Sequence, residues 1–418
     1  MSAYAREISL TTVRGDITLA YSFDHWPKHR IDRSFTDCKI FNCGVSDGDF
    51  LVKIKFALLA FSLACASQAA ASTFDQMYVF GDSTVDSGWW SGALSGNCGA
   101  VAASCTTGSA SKDALISNAI ANGGTGAPVG VGLMNSQILA SDFGLTLKPA
   151  NQPGGTNYAI SGALSAVTAG FGNLNPNANL PSTVGQITTY LGQHINVADP
   201  SALYLISSGG NDITYAKNNF GGVLANEKTY LSQQAASLAS AIYNIQLAGA
   251  QHILVLGNPG SGTLGTFWTS TLFSDLSSLG ANFIGADIAG MVATVKANPT
   301  LYGFTTTSVL PGVVGAATGS ACATQTGAGA STSGWGQWCA NKTTASNLYA
   351  SLTSANAEQT SFYSDNEHFS AAGQLIEANY EYSLLTPLPA ALPLFASGLG
   401  AMGLLGWRRK KKAAALAA

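Results

Sequence analysis

Short apolar runs recur along the middle of the chain, each broken by glycine or a polar turn, and alternate with segments of helical period. Met77-Tyr78-Val79-Phe80 stops at Gly81-Asp82-Ser83. Ala202-Leu203-Tyr204-Leu205-Ile206-Ser207 runs into Gly209-Gly210-Asn211-Asp212, and Ile253-Leu254-Val255-Leu256 into Gly257-Asn258-Pro259. Continuous apolar runs bounded by turn residues are the pattern of strands buried on both faces. Asn157 to Ala163 reads as one more short strand ending in a glycine turn, and a last strand precedes His368.

Helices fill the intervals. Met134 to Phe143 has helical spacing and Gly144 offers a stop; Pro181 opens a helix with Thr183 and Gln186 spaced as a capping box. From about Glu227 to Leu247, Leu231, Ala235, Leu238, Ile242 and Ile245 form one stripe. Helix follows the 253–259 strand to about Ala297, and a helix capped by Ser370 runs to about Leu384. Strand–helix alternation predicts the α/β class, with a central parallel sheet and right-handed crossovers. The Gly-, Ser- and Thr-rich stretches 88–130 and 305–345 read as long surface excursions.

The two ends follow other patterns. Lys53-Ile54-Lys55, the apolar Phe56 to Ala64 and Ala69-Ala70-Ala71 have the form of a secretory signal peptide, assigned to residues 51–71. Residues 1–50 precede it without clear periodicity. The expectation is that translation begins near Leu51 or Val52, the alternative being a genuine N-terminal extension. Leu392 to Trp407 is an uncharged apolar run followed at once by Arg408-Arg409-Lys410-Lys411-Lys412. Marginal length for a span and a basic stop suit either a membrane anchor or a sorting tail.

Charge changes the picture by exclusion. Between Ser72 and Thr386 six lysines and no arginine stand against fifteen Asp and Glu, so this domain is a poor candidate for gripping phosphate or nucleic acid. Neither a G-x-x-x-x-G-K-[ST] nor a G-x-G-x-x-G in the right setting occurs. Cys98, Cys105, Cys322 and Cys339 remain once the first three cysteines are set aside with the leader. Three pairings are possible; local pairs are expected because each closes a Gly/Ser-rich loop, in an oxidising compartment. No Cys-x-x-Cys or histidine cluster suggests a metal, and no cofactor is implied.

The candidate chemistry begins at Ser83, delivered by a strand to the sheet's carboxyl edge, where ligands of open α/β sheets bind. A serine nucleophile needs a base and a group to orient it. Of the histidines past the leader, His194 sits at a helix end and His252 starts a strand at the wrong edge. His368 follows a strand, with Asp365 three residues earlier able to fold back on it. The amides of Ser83 and Gly162 and the side chain of Asn211 would supply oxyanion donors. Gly44-Val45-Ser46-Asp47-Gly48 matches G-x-S-x-G but lies ahead of the leader without strand or helix, so it fails as a nucleophile elbow.

These blocks resemble the GDSL, or SGNH, hydrolases. Phe80-Gly81-Asp82-Ser83-Thr84-Val85-Asp86 is similar to the nucleophile block, Asn157 to Ala163 to the glycine block, Gly209-Gly210-Asn211-Asp212 to the asparagine block, and Asp365-Asn366-Glu367-His368 to the acid–base block. Ala248 to Pro259 resembles the family's core strand. The resemblance implies a flavodoxin-like α/β/α sandwich over 72–386. It also implies a serine esterase that cleaves lipid or short-chain acyl esters with Ser83, His368 and Asp365. Trp89-Trp90 departs from the family pattern and is expected as an exposed substrate platform, for an acyl groove or a sugar. An O-deacetylase of exported polysaccharide and a catalytically silent surface protein are the alternatives. The tail 387–418 resembles PEP-CTERM sorting signals, with Pro387-Leu388-Pro389 in place of Pro-Glu-Pro. That resemblance implies an exosortase partner and a Gram-negative source.

Overall fold

The computed structural model describes residues 8–13, 16–21, 74–99, 105–168, 180–304, 320–323, 338–344, 346–365 and 367–386. It falls into two units, Met1–Leu63 and Ala64–Ala418. In the first, β1 (Ile8–Val13) pairs antiparallel with β2 (Asp16–Tyr21). Residues 51–71, expected as a leader, and the tail 387–418 lie outside the described residues, and no described helix is long and apolar enough to cross a membrane.

The second unit is built on a parallel sheet of β3 (Met77–Gly81), β4 (Leu203–Ser207), β5 (His252–Leu256) and β6 (Ile284–Ala286), in that spatial order. Alternate side chains leave opposite faces of a strand. Tyr78, Phe80, Tyr204, Ile206, Ile253 and Val255 therefore join one buried cluster. Met77, Val79, Leu203, Leu205, Leu254 and Leu256 join another. This double burial is why the strands read as unbroken apolar runs.

Helices cover both faces. The first cluster takes residues from α1 (Trp89–Leu94), α2 (Ala110–Ala121), α4 (Thr183–Gln193), α6 (Leu224–Leu247) and α7 (Thr263–Ser278). The second takes them from α3 (Asn135–Asp142), α8 (Ile288–Ala297) and α10 (Ala371–Leu385). The result is the expected α/β architecture, a central parallel sheet flanked by helices. The short α5 (Gly210–Asn219) starts directly after β4.

Several expected elements change in detail. Residues 157–160 form no strand but still extend along β3: Tyr158 N donates to Val79 O and Ile160 N to Gly81 O, at 2.8 and 3.1 Å. The expected strand before His368 reduces to one antiparallel bridge between Tyr363 and Phe369. The helix expected to reach Ala297 is two helices separated by β6, whose three residues carry no apolar run to betray it. Ser182, not Thr183, caps α4, accepting from Gly185 N, while Gln186 turns inward. The 88–130 stretch is no mere surface excursion, since α1 and α2 place Trp89, Trp90, Ile116 and Ala119 in the core. A second, small sheet consists of β7 (Cys322–Ala323), β9 (Ala350–Leu352) and β8 (Cys339–Ala340), with α9 (Ala357–Thr360) following it. Disulfides join Cys98 to Cys105 and Cys322 to Cys339, the expected local pairs.

Candidate active site

At the carboxyl end of β3 the backbone turns sharply. Gly81 has φ +151°, and a Cβ there would run into the Ser207 carbonyl of neighbouring β4, so only glycine fits. Gln186 fastens the same peptide from α4, accepting from Gly81 N at 2.8 Å and donating to Gly81 O at 2.9 Å. Asp82 is buried and accepts from Thr84 N and Oγ1 at 3.0 and 2.8 Å. Burial pushes its carboxyl up against those two bonds. The turn presents Ser83, 9% exposed.

His368 reaches Ser83 from the loop before α10. Its Nε2 lies 2.7 Å from Ser83 Oγ and its Nδ1 2.8 Å from Asp365 Oδ2. The other Asp365 oxygen accepts from the Glu367 and His368 amides, both at 2.7 Å, which folds the loop back on itself. Burial works against a charged imidazole. The Asp365 charge and hydrogen bond, backed by Glu367 and Asp82, outweigh it and push His368 up to about 9. His194 and His252 stay away: His194 bonds Tyr190 O at 2.8 Å, and His252 packs edge-on against Phe74.

Gly162 follows the segment that runs along β3, and Asn211 opens α5 directly after β4, so both lie past the carboxyl ends of these strands. Gly162 turns with φ +94°, and neither its amide nor that of Ser83 has a hydrogen-bond partner among the described residues. Asn211 Nδ2 donates to Ala163 O at 3.0 Å, which uses one amide hydrogen and leaves the second. Such an arrangement of hydroxyl, imidazole, carboxylate and unengaged N–H groups suits attack on a carbonyl with stabilisation of the resulting oxyanion.

A family model described as GDSL-like lipase/acylhydrolase matches residues 77–298, more than half of the chain. The chain belongs to the GDSL-like lipase/acylhydrolase family. The GDSL match stops before Asp365 and His368, so their approach to Ser83 is an observation separate from it. Among curated relatives, "Lipase 1" of Photorhabdus luminescens is 29% identical over 256 residues, 61% of this chain and 32% of that protein. "Esterase EstA" of Pseudomonas aeruginosa is 28% identical over 365 residues, 79% of this chain and 50% of that one. An uncharacterized Pseudomonas putida protein from the trpE-trpG intergenic region is 24% identical over 365 residues, 80% of this chain and 52% of its own length. The chain thus spans about half the length of these relatives, or less.

Two residues just past the GDSL nucleophile block need correction. Trp89 and Trp90 are both 0% exposed, in a T-shaped contact at 4.9 Å, and so cannot form a surface platform. The polar residues around them in sequence point to an exposed loop, but α1 begins at Trp89 and packs into the core. Two residues named in the sequence only for a helix cap and a motif turn out to position the site. One is Gln186. The other is Asp86, which accepts from Gly88 N and Trp89 N at 2.9 and 2.7 Å with one oxygen. Its other oxygen accepts from Ser161 N and Oγ at 2.8 and 2.5 Å. Asp86 therefore ties the nucleophile block to the glycine block. A carboxylate inside an otherwise apolar and small-residue stretch is the available signal. No cluster of three or more metal-ligating side chains occurs among the described residues.

Proposed function

We propose that the protein is an exported serine esterase acting on carboxylic esters of lipid or short-chain acyl type. The observation that carries this reading is the unbroken hydrogen-bonded line from Asp365 through His368 to Ser83. Ser83 Oγ attacks the ester carbonyl while His368 Nε2 takes its proton, and the same nitrogen returns the proton to the leaving alcohol. Asp365 holds the imidazole in the tautomer that presents Nε2 and balances the imidazolium. Ser83 N, Gly162 N and the second amide hydrogen of Asn211 receive the oxyanion. Water then repeats the sequence on the acyl-enzyme.

The relatives' names, lipase and esterase, favour acyl esters. Exposed tryptophans would suit an acyl groove and a sugar alike, so burial of Trp89 and Trp90 removes that support from polysaccharide O-deacetylation and from the acyl reading equally. A silent surface protein has no need of the Asp365–His368–Ser83 line. Two disulfides support an oxidising compartment. In this proposal residues 51–71 are the leader, 72–386 the hydrolase and 387–418 the membrane or exosortase-processed tail.

A fluorophosphonate probe should label the protein at Ser83, and Ser83→Ala should lose both the label and hydrolysis of p-nitrophenyl butyrate while keeping its circular dichroism spectrum. Turnover unchanged in that variant would refute the nucleophile.

A further inference from the structure

A small cleft opens beside His368, with Thr84, Ser207, Glu367, His368, Gln374 and Glu377 on its walls. None of the three oxyanion donors lines it. Most polar groups around it have at least one partner, although Asp82 Oδ2, Asn135 Oδ1 and Glu381 Oε2 have none among the described residues. Thr84 Oγ1 bonds Asp82 Oδ1 and Ser207 Oγ at 2.8 and 2.7 Å. Gln374 Oε1 accepts from Asn135 N at 2.8 Å, and Glu381, one turn beyond Glu377, accepts from Asn135 Nδ2 at 2.8 Å.

Glu377 differs. It is 3% exposed and has no hydrogen-bond partner among the described residues, yet it faces the cleft. A carboxyl that turns to a cleft without a protein partner marks a place where a ligand can complete the bonding. Burial and the neighbouring Glu381 both push its carboxyl well above the ordinary range. That shift favours the protonated form, which can both donate and accept. The cleft leaves about 10 Å³ for the centre of a water-sized group, room for one.

Position supplies the rest. His368 returns its proton to the leaving alcohol, so the carbons next to the ester oxygen pass beside the imidazole, where this cleft lies. We propose that the cleft is a subsite for a free hydroxyl on the alcohol part of the ester, read by Glu377. Such a substrate is a partial ester of a polyol, with the hydroxyl one or two carbons from the ester oxygen. The assignment rests on the esterase reading of Ser83. A cation is the weaker occupant, since no set of three ligating side chains is gathered among the described residues.

The test compares glycerol monobutyrate with propyl butyrate, which share acyl group and three-carbon alcohol. The wild type should prefer the glycerol ester in kcat/KM by about tenfold or more, as sites built to bond a hydroxyl reject analogues lacking it. Glu377→Leu should cut that ratio by about tenfold, whereas Glu377→Gln, which keeps a donor and an acceptor, should hold it within about threefold. The same ratio in all three proteins would overturn the proposal, as would activation by a divalent cation that Glu377→Leu abolishes. Should the wild type cleave neither ester, the esterase reading fails by itself. The subsite is then read by binding of the two esters to Ser83→Ala protein, where tighter binding of the glycerol ester is expected and equal affinity overturns it.

Discussion

His368 sets the working pH of this site. Its pKa, pushed up to about 9 by Asp365 in spite of burial, leaves most of the free enzyme with a protonated imidazole at neutrality. Only the neutral form can take the Ser83 proton. The expected profile of log kcat/KM therefore climbs with a slope of one through neutrality and levels off near pH 9, since this parameter reports the free enzyme's ionisations. A plateau already reached near pH 6.5, the ordinary histidine value, would mean that Asp365 does not hold its charge beside the ring. The residues of this line are legible because each closes a short motif: Gly81-Asp82-Ser83 ends an apolar run, and Asp365 stands three residues before His368. Glu377 is not, because a glutamate on an amphipathic helix reads as a solvated face. Only the fold shows that this one turns inward.

At the scale of elements, the acid–base loop depends on the small sheet beside it. Ala321 N and Cys322 N donate to the Tyr363 and Ser364 carbonyls, both at 2.9 Å, just ahead of Asp365. Buried Glu358 completes the brace by accepting from Ser364 Oγ and Ala371 N, both at 2.8 Å. The Cys322–Cys339 disulfide fastens β7 to β8, across residues 17 apart in sequence. Replacing both cysteines by alanine should cost about 3 kcal/mol in urea unfolding on the chain-entropy estimate. It should also lower kcat/KM, because Asp365 loses its support. Replacing Cys98 and Cys105, only seven apart, should cost less stability and leave kcat/KM unchanged. Equal kinetic effects would break the link between the small sheet and the site. The strands buried on both faces, β3, β4 and β5, stand out in the sequence. By contrast β6 does not, since its Ile284 is 37% exposed and its centre is glycine. Nor does α1, where two tryptophans in a polar neighbourhood carry no period of their own.

Across the whole molecule, buried acids couple stability to pH in one direction. Burial raises Asp212 and Glu358 to about 7 and pushes the paired Glu377 and Glu381 up as well. For a carboxyl with a raised folded pKa, the native state binds more protons than the unfolded chain between the two values, so stability falls as pH rises through that window. His368, also raised, behaves alike: its contribution is full below the ordinary histidine value and is lost as pH rises through about 9. The melting temperature is thus expected to decline steadily between about pH 5 and pH 9, the interval in which kcat/KM climbs. A melting temperature that rises across this interval would show that these acids are ionised in the folded protein.

The distance along the chain between Ser83 and His368, 285 residues, gives this enzyme a timetable. At roughly 5–20 residues per second of synthesis, the nucleophile waits on the order of 15–60 s for its base to be made. Through that interval the serine is an ordinary alcohol. A chain still being made cannot attack an ester, because its base has not yet been added. The same separation makes closure of the site a late, long-range event in folding, so that the first active molecule is also a finished one.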